Sequence, residues 1–148
     1  MRISAPLIGL VLALGGVSSA VAGMSQQRSS YTESYTHNGS AVAMEFNGDS
    51  VTIVYAAPRP GLASVGVREG TILFTGRRIG ARVDGVAYVF KAGCSPAPYE
   101  VSGRFDGREN LILSGPAPRW DPRSCAIIGY TQATRHSQLV FLEAYGDI

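Results

Sequence analysis

The chain reads as an all-β domain, a small antiparallel barrel or sandwich of about eight to ten short strands. Three observations lead there. Beyond position 30, apolar and polar residues alternate in short blocks with a period of two. Turn-forming Asn, Gly, Asp and Pro interrupt these blocks every eight to twelve residues or so. No stretch carries the apolar period of a long amphipathic helix. Composition alone leaves the matter open, because 18 glycines and only 16% charged residues also suit a disordered chain. The alternation decides for a folded one, and closure into a barrel would remove exposed strand edges.

Residues 31–36 form the first predicted strand, rich in β-prone side chains. His37-Asn38-Gly39-Ser40 follows with the Asn-Gly hairpin signal. Residues 41–46 set Val42, Met44 and Phe46 on one face, residues 47–49 turn, and residues 50–55 align Val51, Ile53 and Tyr55. These three strands make an antiparallel meander. Residues 56–61 hold two prolines, which donate no ladder hydrogen bond, so they form a rigid loop in which Pro60-Gly61 suits a type II turn. Residues 62–67 fit a short helical turn and a bridging strand equally.

Residues 71–76 are expected as a strand with Ile72 and Phe74 on one face, and residues 77–80 as its connection to the next. Residues 81–90 form a longer strand with Val86, Tyr88 and Phe90 aligned, and Asp84-Gly85 inside it marks a bulge or tight turn. After a loop over 91–98, residues 99–105 alternate Tyr99, Val101, Gly103 and Phe105. A turn at 106–109 leads to a short strand at 110–114. Residues 115–124 read as a long proline loop, and 126–130 and 138–142 as the last strands, with the polar stretch 131–137 between them.

Residues 1–22 read as a secretory signal peptide. Arg2 supplies a positive charge, residues 6–17 are almost wholly apolar, and Ala20-Val21-Ala22 spaces small residues for cleavage. The apolar run is short for a membrane helix, so no stable span is expected after cleavage. Residues 23–30 are polar and aperiodic, a flexible arm, and 31–148 form a single domain large enough to bury roughly two-thirds of its unfolded surface. The expected compartment is periplasmic or secreted, the expected state a monomer or weak oligomer. Export makes the compartment oxidising, and the two cysteines, Cys94 and Cys125, then read as one disulfide. It would close a loop worth roughly 3–4 kcal/mol of chain entropy.

Between residues 59 and 135 basic side chains outnumber acids, and all but Lys91 of them are Arg. Arginine suits bidentate pairing with carboxylate or phosphate. The pattern fits a solvated β surface and also an anionic partner. A formal charge of +2 over the whole chain is too small for a nucleic-acid binder.

The sequence gives no catalytic constellation. There is no Gly-x-Ser-x-Gly and no His-Glu-x-x-His, and His37 and His136 fall in polar turns where the rings are expected in solvent. Asp84, Glu100, Asp106, Glu109 and Asp121 qualify as glycosidase carboxylates by number only. The cysteines and histidines lack zinc-ligand spacing, and the glycine-rich stretches 61–70 and 76–80 are read as turns, not phosphate loops. No enzyme, metal or cofactor is expected.

Arg119-Trp120-Asp121-Pro122-Arg123 holds the single Trp, flanked by Arg in a proline-stiffened loop beside Cys125. Rigid Trp and Arg side chains make good partner anchors. Trp120 could equally fold back to plug a barrel end. Arg59, in Pro58-Arg59-Pro60, and Arg77-Arg78 are weaker candidates. The expected function is a non-enzymatic envelope domain binding a protein, glycan or anionic partner through these loops. Inhibition of a lysozyme or another envelope hydrolase, and a small envelope hydrolase, are the alternatives.

Several segments together, His37-Asn38-Gly39-Ser40, Pro58-Arg59-Pro60-Gly61, residues 66–76, Gly85-x-Ala87-Tyr88-x-Phe90, Cys94, Pro98-Tyr99-x-Val101-x-Gly103 and Cys125-x-x-x-Gly129-Tyr130, resemble a group of exported alphaproteobacterial β-domains. The likeness spans about residues 35–142. It implies export and a disulfide, and it brings no activity with it. Arg59, Arg77 and Arg78 are its matching polar positions, without an implied ligand.

Overall fold

The computed structural model describes residues 29–144. The expected signal peptide and most of the expected arm lie outside these residues. The chain forms β1 (Ser30–His37), β2 (Ser40–Asn47), β3 (Ser50–Ala57), β4 (Ile72–Ile79), β5 (Arg82–Val89), β6 (Ala97–Phe105), β7 (Leu111–Ser114), β8 (Ala117–Trp120), β9 (Ile127–Thr131) and β10 (Gln138–Glu143). Eight of these close an antiparallel barrel in the order β1-β10-β7-β6-β5-β4-β3-β2, and β8 and β9 form a separate two-stranded sheet. The choice between barrel and sandwich is thus decided for the barrel.

The meander runs as its turns dictate. Asn38 and Gly39 both take left-handed backbone (φ 48° and 80°), the geometry an Asn-Gly hairpin needs, and β1 pairs with β2 from Ser30↔Asn47 to His37↔Ser40. Residues 62–67, open between two readings, contain a short 3-10 helix, Leu62–Val65.

The barrel is filled with side chains. Tyr35, Val42, Met44, Ile53, Phe74, Val83, Leu111, Leu113 and Phe141 are essentially inaccessible to solvent, and each large side chain so buried stabilises the fold by about 1.5–3 kcal/mol. Gly76 and Gly85 face one another across β4 and β5. A Cβ on either would come within 2.5–2.6 Å of the Phe74 ring tip, so the pair makes room for that ring.

Several sequence expectations are corrected. Ile72 and Phe74 do not share a face: a register shift between Ile53 and Val54 opposes Ile53 to Phe74 but Val54 to Ile72. The bulge leaves Leu73 and Phe74 both buried and turns Ile72 outward, 44% exposed. Residues 77–79 are not a connection but the end of β4, paired with β5 through Ile79↔Arg82. Asp84-Gly85 is neither bulge nor turn, since the β4–β5 register runs through it unbroken. In β5 the interior face is Val83, Ala87 and Val89, while Val86 and Tyr88 lie half-buried on the outer side. Val86 helps line a groove under β9, so β5 has apolar cover on both faces and its phase is ambiguous from sequence. The proline stretch 115–124 contains a strand, β8, although Pro118 cannot donate to the ladder; such a residue is tolerated in a two-stranded sheet that has only edges.

Candidate functional site

The two barrel ends differ. At one end the connections β2–β3, β4–β5 and β6–β7 are tight turns. That end is sealed: the Arg78 guanidinium lies 4.1 Å from the Phe105 ring centroid and 5.6 Å from that of Phe46. Arg78 Nε donates to the Gly80 carbonyl at 2.9 Å, and its tip pairs with Glu109 at 3.9 Å. Tyr35 completes the seal by donating its hydroxyl to the Glu109 carbonyl at 3.1 Å. The opposite end carries the long connections, residues 58–71, 90–96 and 115–137.

From this open end the β8–β9 hairpin projects. An isolated hairpin is marginal in water, and two devices hold this one to the 90–96 loop. Cys94 and Cys125 form the disulfide, with Cα atoms 5.4 Å apart. Lys91 Nζ donates to the carbonyls of Asp121 and Ser124 at 2.8 and 2.7 Å, and sits 5.7 Å from the Trp120 ring centroid. Ala117 and Pro118 are buried, so β8 seats the hairpin on the barrel. β9 gains little burial: Ile127, Ile128 and Tyr130 are exposed, Ile128 at 54% and Tyr130 at 60%.

Trp120 is half-buried on the hairpin, and its Nε1 is a buried polar atom without a hydrogen-bond partner. Arg119 and Arg123 are exposed beside it. Arg59 lies on another loop of the same end, its backbone N–H donating to Ser40 Oγ at 2.9 Å. Arg77 and Arg78 belong to the sealed end, where Arg77 pairs with Asp49 at 3.5 Å. The structure therefore brings Arg59, Arg119, Trp120 and Arg123 to one end and separates Arg77 and Arg78 from them.

Both histidines depart from expectation. His37 is not in solvent but 5% exposed, because it continues the inward face begun by Tyr35 two residues earlier. Its ring stacks on Phe141 (centroids 4.7 Å apart) and Nδ1 bonds the Val140 carbonyl at 2.9 Å. Burial holds its pKa below the ordinary value against the opposing pull of the Val140 hydrogen bond, and the charges of His136 and Arg59 push the same way as burial. His136 is half-buried in the 3-10 turn Arg135–Ser137 and is shifted downward too, by burial and then by Arg135. Tyr99 donates its hydroxyl to the His136 carbonyl at 2.5 Å, and burial followed by Tyr55 pushes its pKa up to about 12, so it stays a donor. Among the described residues no three His, Cys, Asp or Glu side chains gather to hold a metal ion, and no helix is long and apolar enough to cross a membrane.

No protein-family model matches this chain, and no curated protein or solved structure is detectably similar to it.

Proposed function

We propose that the chain is an exported, non-catalytic binding module of the cell envelope that takes its partner at the open barrel end. The observation that carries this reading is the stapled hairpin. The barrel closes without it, since β7 pairs directly with β10, yet it is held by a disulfide and a lysine and presents Ile127, Ile128 and Tyr130 to solvent. Exposed aromatic and aliphatic side chains beside Arg119 and Arg123, on a rigid support, have the composition of a protein-binding hot spot. A barrel wall lined by Val86 and Pro98 continues the apolar surface under Tyr130.

Recovery of partners from envelope extract by the immobilised wild type, Trp120→Ala, Arg119→Ala and Arg77→Ala tests this. Loss in the first two variants with retention in the third supports the hairpin as the binding element. Equal recovery by all four removes it. The same stapled hairpin also suits insertion into a cleft, which favours a second reading, inhibition of an envelope hydrolase; lysozymes of several classes left fully active by excess protein would dismiss that reading.

A further inference from the structure

A cavity of about 70 Å3 opens at the barrel mouth, separate from the hairpin surface. It has room for a few waters, and so for a small polar head group. The walls divide by chemistry. Leu62, Val65, Leu73, Phe90 and Leu139 make an apolar lining, and His37, Arg59, Arg135 and His136 are the basic residues around it, Arg135 being exposed. No Asp or Glu lines it. Among the described residues, neither Arg59 nor Arg135 has an ion pair within 4.0 Å, as is also true of Arg68, Arg104, Arg108, Arg119 and Arg123.

We infer that the mouth cavity binds a small carboxylate on a short apolar stem, with Arg59 and Arg135 gripping the anion and the His136 imidazole beside them. Two guanidinium groups favour a planar, bidentate oxyanion. The predominantly apolar lining favours a stem of one or two carbons over a fully hydrated ion. Two guanidinium cations around one space repel each other, and an anion between them relieves that repulsion. Burial first, and then the neighbouring cations Arg59 and Arg135, hold the pKa values of His37 and His136 below the ordinary value, and no lining carboxylate opposes them. His37 Nδ1–H donates to the Val140 carbonyl and its Nε2 accepts from the Asn38 side-chain amide at 3.4 Å, so the ring is a fixed wall of the cavity. The inference does not depend on the hairpin reading.

The test is a titration of the disulfide-bonded protein with sodium propionate at fixed pH and ionic strength, followed through the ring resonances of His37 and His136. Saturable shifts of both rings, with their pKa values rising on binding, are expected. Arg59→Gln and Arg135→Gln should each weaken binding about tenfold or more, the scale of one charge-assisted hydrogen bond. Arg77→Gln, at the sealed end, should leave it unchanged. Equal shifts with propionamide or with sodium chloride would overturn the proposal, as would unaltered affinity in both arginine variants with native spectra. A short peptide ending in a free carboxylate, beside its amidated form, separates the two sources of this chemistry. Binding of the free-ended peptide identifies a chain terminus as a ligand, and binding of propionate alone identifies a free acid; both uphold carboxylate recognition.

Discussion

His37 stands where an inward-facing strand position meets an Asn-Gly turn. The turn suggested solvent, and the strand's two-residue period put the ring in the core. The pairing was legible, because Tyr35 two residues earlier faces inward, but the turn signal masked it. The burial has a consequence for stability. An unfolded histidine titrates near 6.5, and the folded His37 and His136 titrate lower. Between those values the unfolded chain binds more protons, so this stability is complete above about pH 6.5 and is lost as pH falls through the folded values. Thermal melts should therefore be lower at about pH 5 than at about pH 7, and His37→Phe should reduce the difference. Melting indifferent to pH across that window would contradict the buried neutral ring. Gly85 gives a second local test. A Cβ there would lie 2.6 Å from Phe74 Cζ and closer still to the Thr75 carbonyl oxygen, which the ladder holds in place. Gly85→Ala should cost roughly 1–3 kcal/mol in urea unfolding, the range for overpacking. Gly107→Ala, with open space around its Cβ position, should stay within about 0.5 kcal/mol of wild type.

Strands with one wet face were readable and strands covered on both faces were not. β2, β3 and β6 alternate cleanly, with Val42, Met44 and Phe46, then Val51, Ile53 and Tyr55, then Tyr99, Val101 and Phe105 inside as their spacing predicts. β4 and β5 misled, one through its bulge beside Ile72 and the other through apolar residues on both sides. β8 was hidden by its prolines. Its hairpin is nonetheless an insertion in the barrel's connectivity. Ser114 pairs with Gln138 across β7 and β10, the separation a two-residue hairpin turn bridges. Replacing residues 115–137 by Asn-Gly should leave a barrel that melts in one transition, at a lower temperature because Ala117 and the Tyr99 hydrogen bond are lost. A chain that no longer folds would show that the hairpin is part of the core. Reducing the Cys94–Cys125 bond is the milder perturbation. It should lower stability by about 2–4 kcal/mol, and amide exchange should rise most in β8 and β9, which the bond anchors. Uniform acceleration over all strands would show that the bond stabilises the barrel as a whole and not the hairpin.

The molecule separates its stability from its exposed chemistry along the barrel axis. The tight-turn end is closed by Arg78 over Phe46 and Phe105; the other end bears the long loops, the disulfide, the cationic mouth and the apolar hairpin. The sequence marked Arg119, Trp120 and Arg123 and, as weaker candidates, Arg59, Arg77 and Arg78 without separating them, because composition reports charge and not which end a strand delivers it to. It gave no sign of Arg135, Tyr55 and Tyr88 meeting at one cavity, since that meeting depends on ring closure between β1 and β10. The two ends should respond oppositely to substitution. Arg78→Ala removes a partly buried cation from two aromatic rings and should cost about 1–2 kcal/mol, with partner recovery unaltered well below the melt. Tyr130→Ala and Ile128→Ser touch exposed side chains, so stability should move by no more than about 0.5 kcal/mol while partner recovery falls. Chemical denaturation and recovery measured on the same samples distinguish the cases. If Arg78→Ala abolished recovery without loss of stability, and the hairpin variants recovered everything, recognition would belong to the sealed end and the assignment of the open end would be reversed.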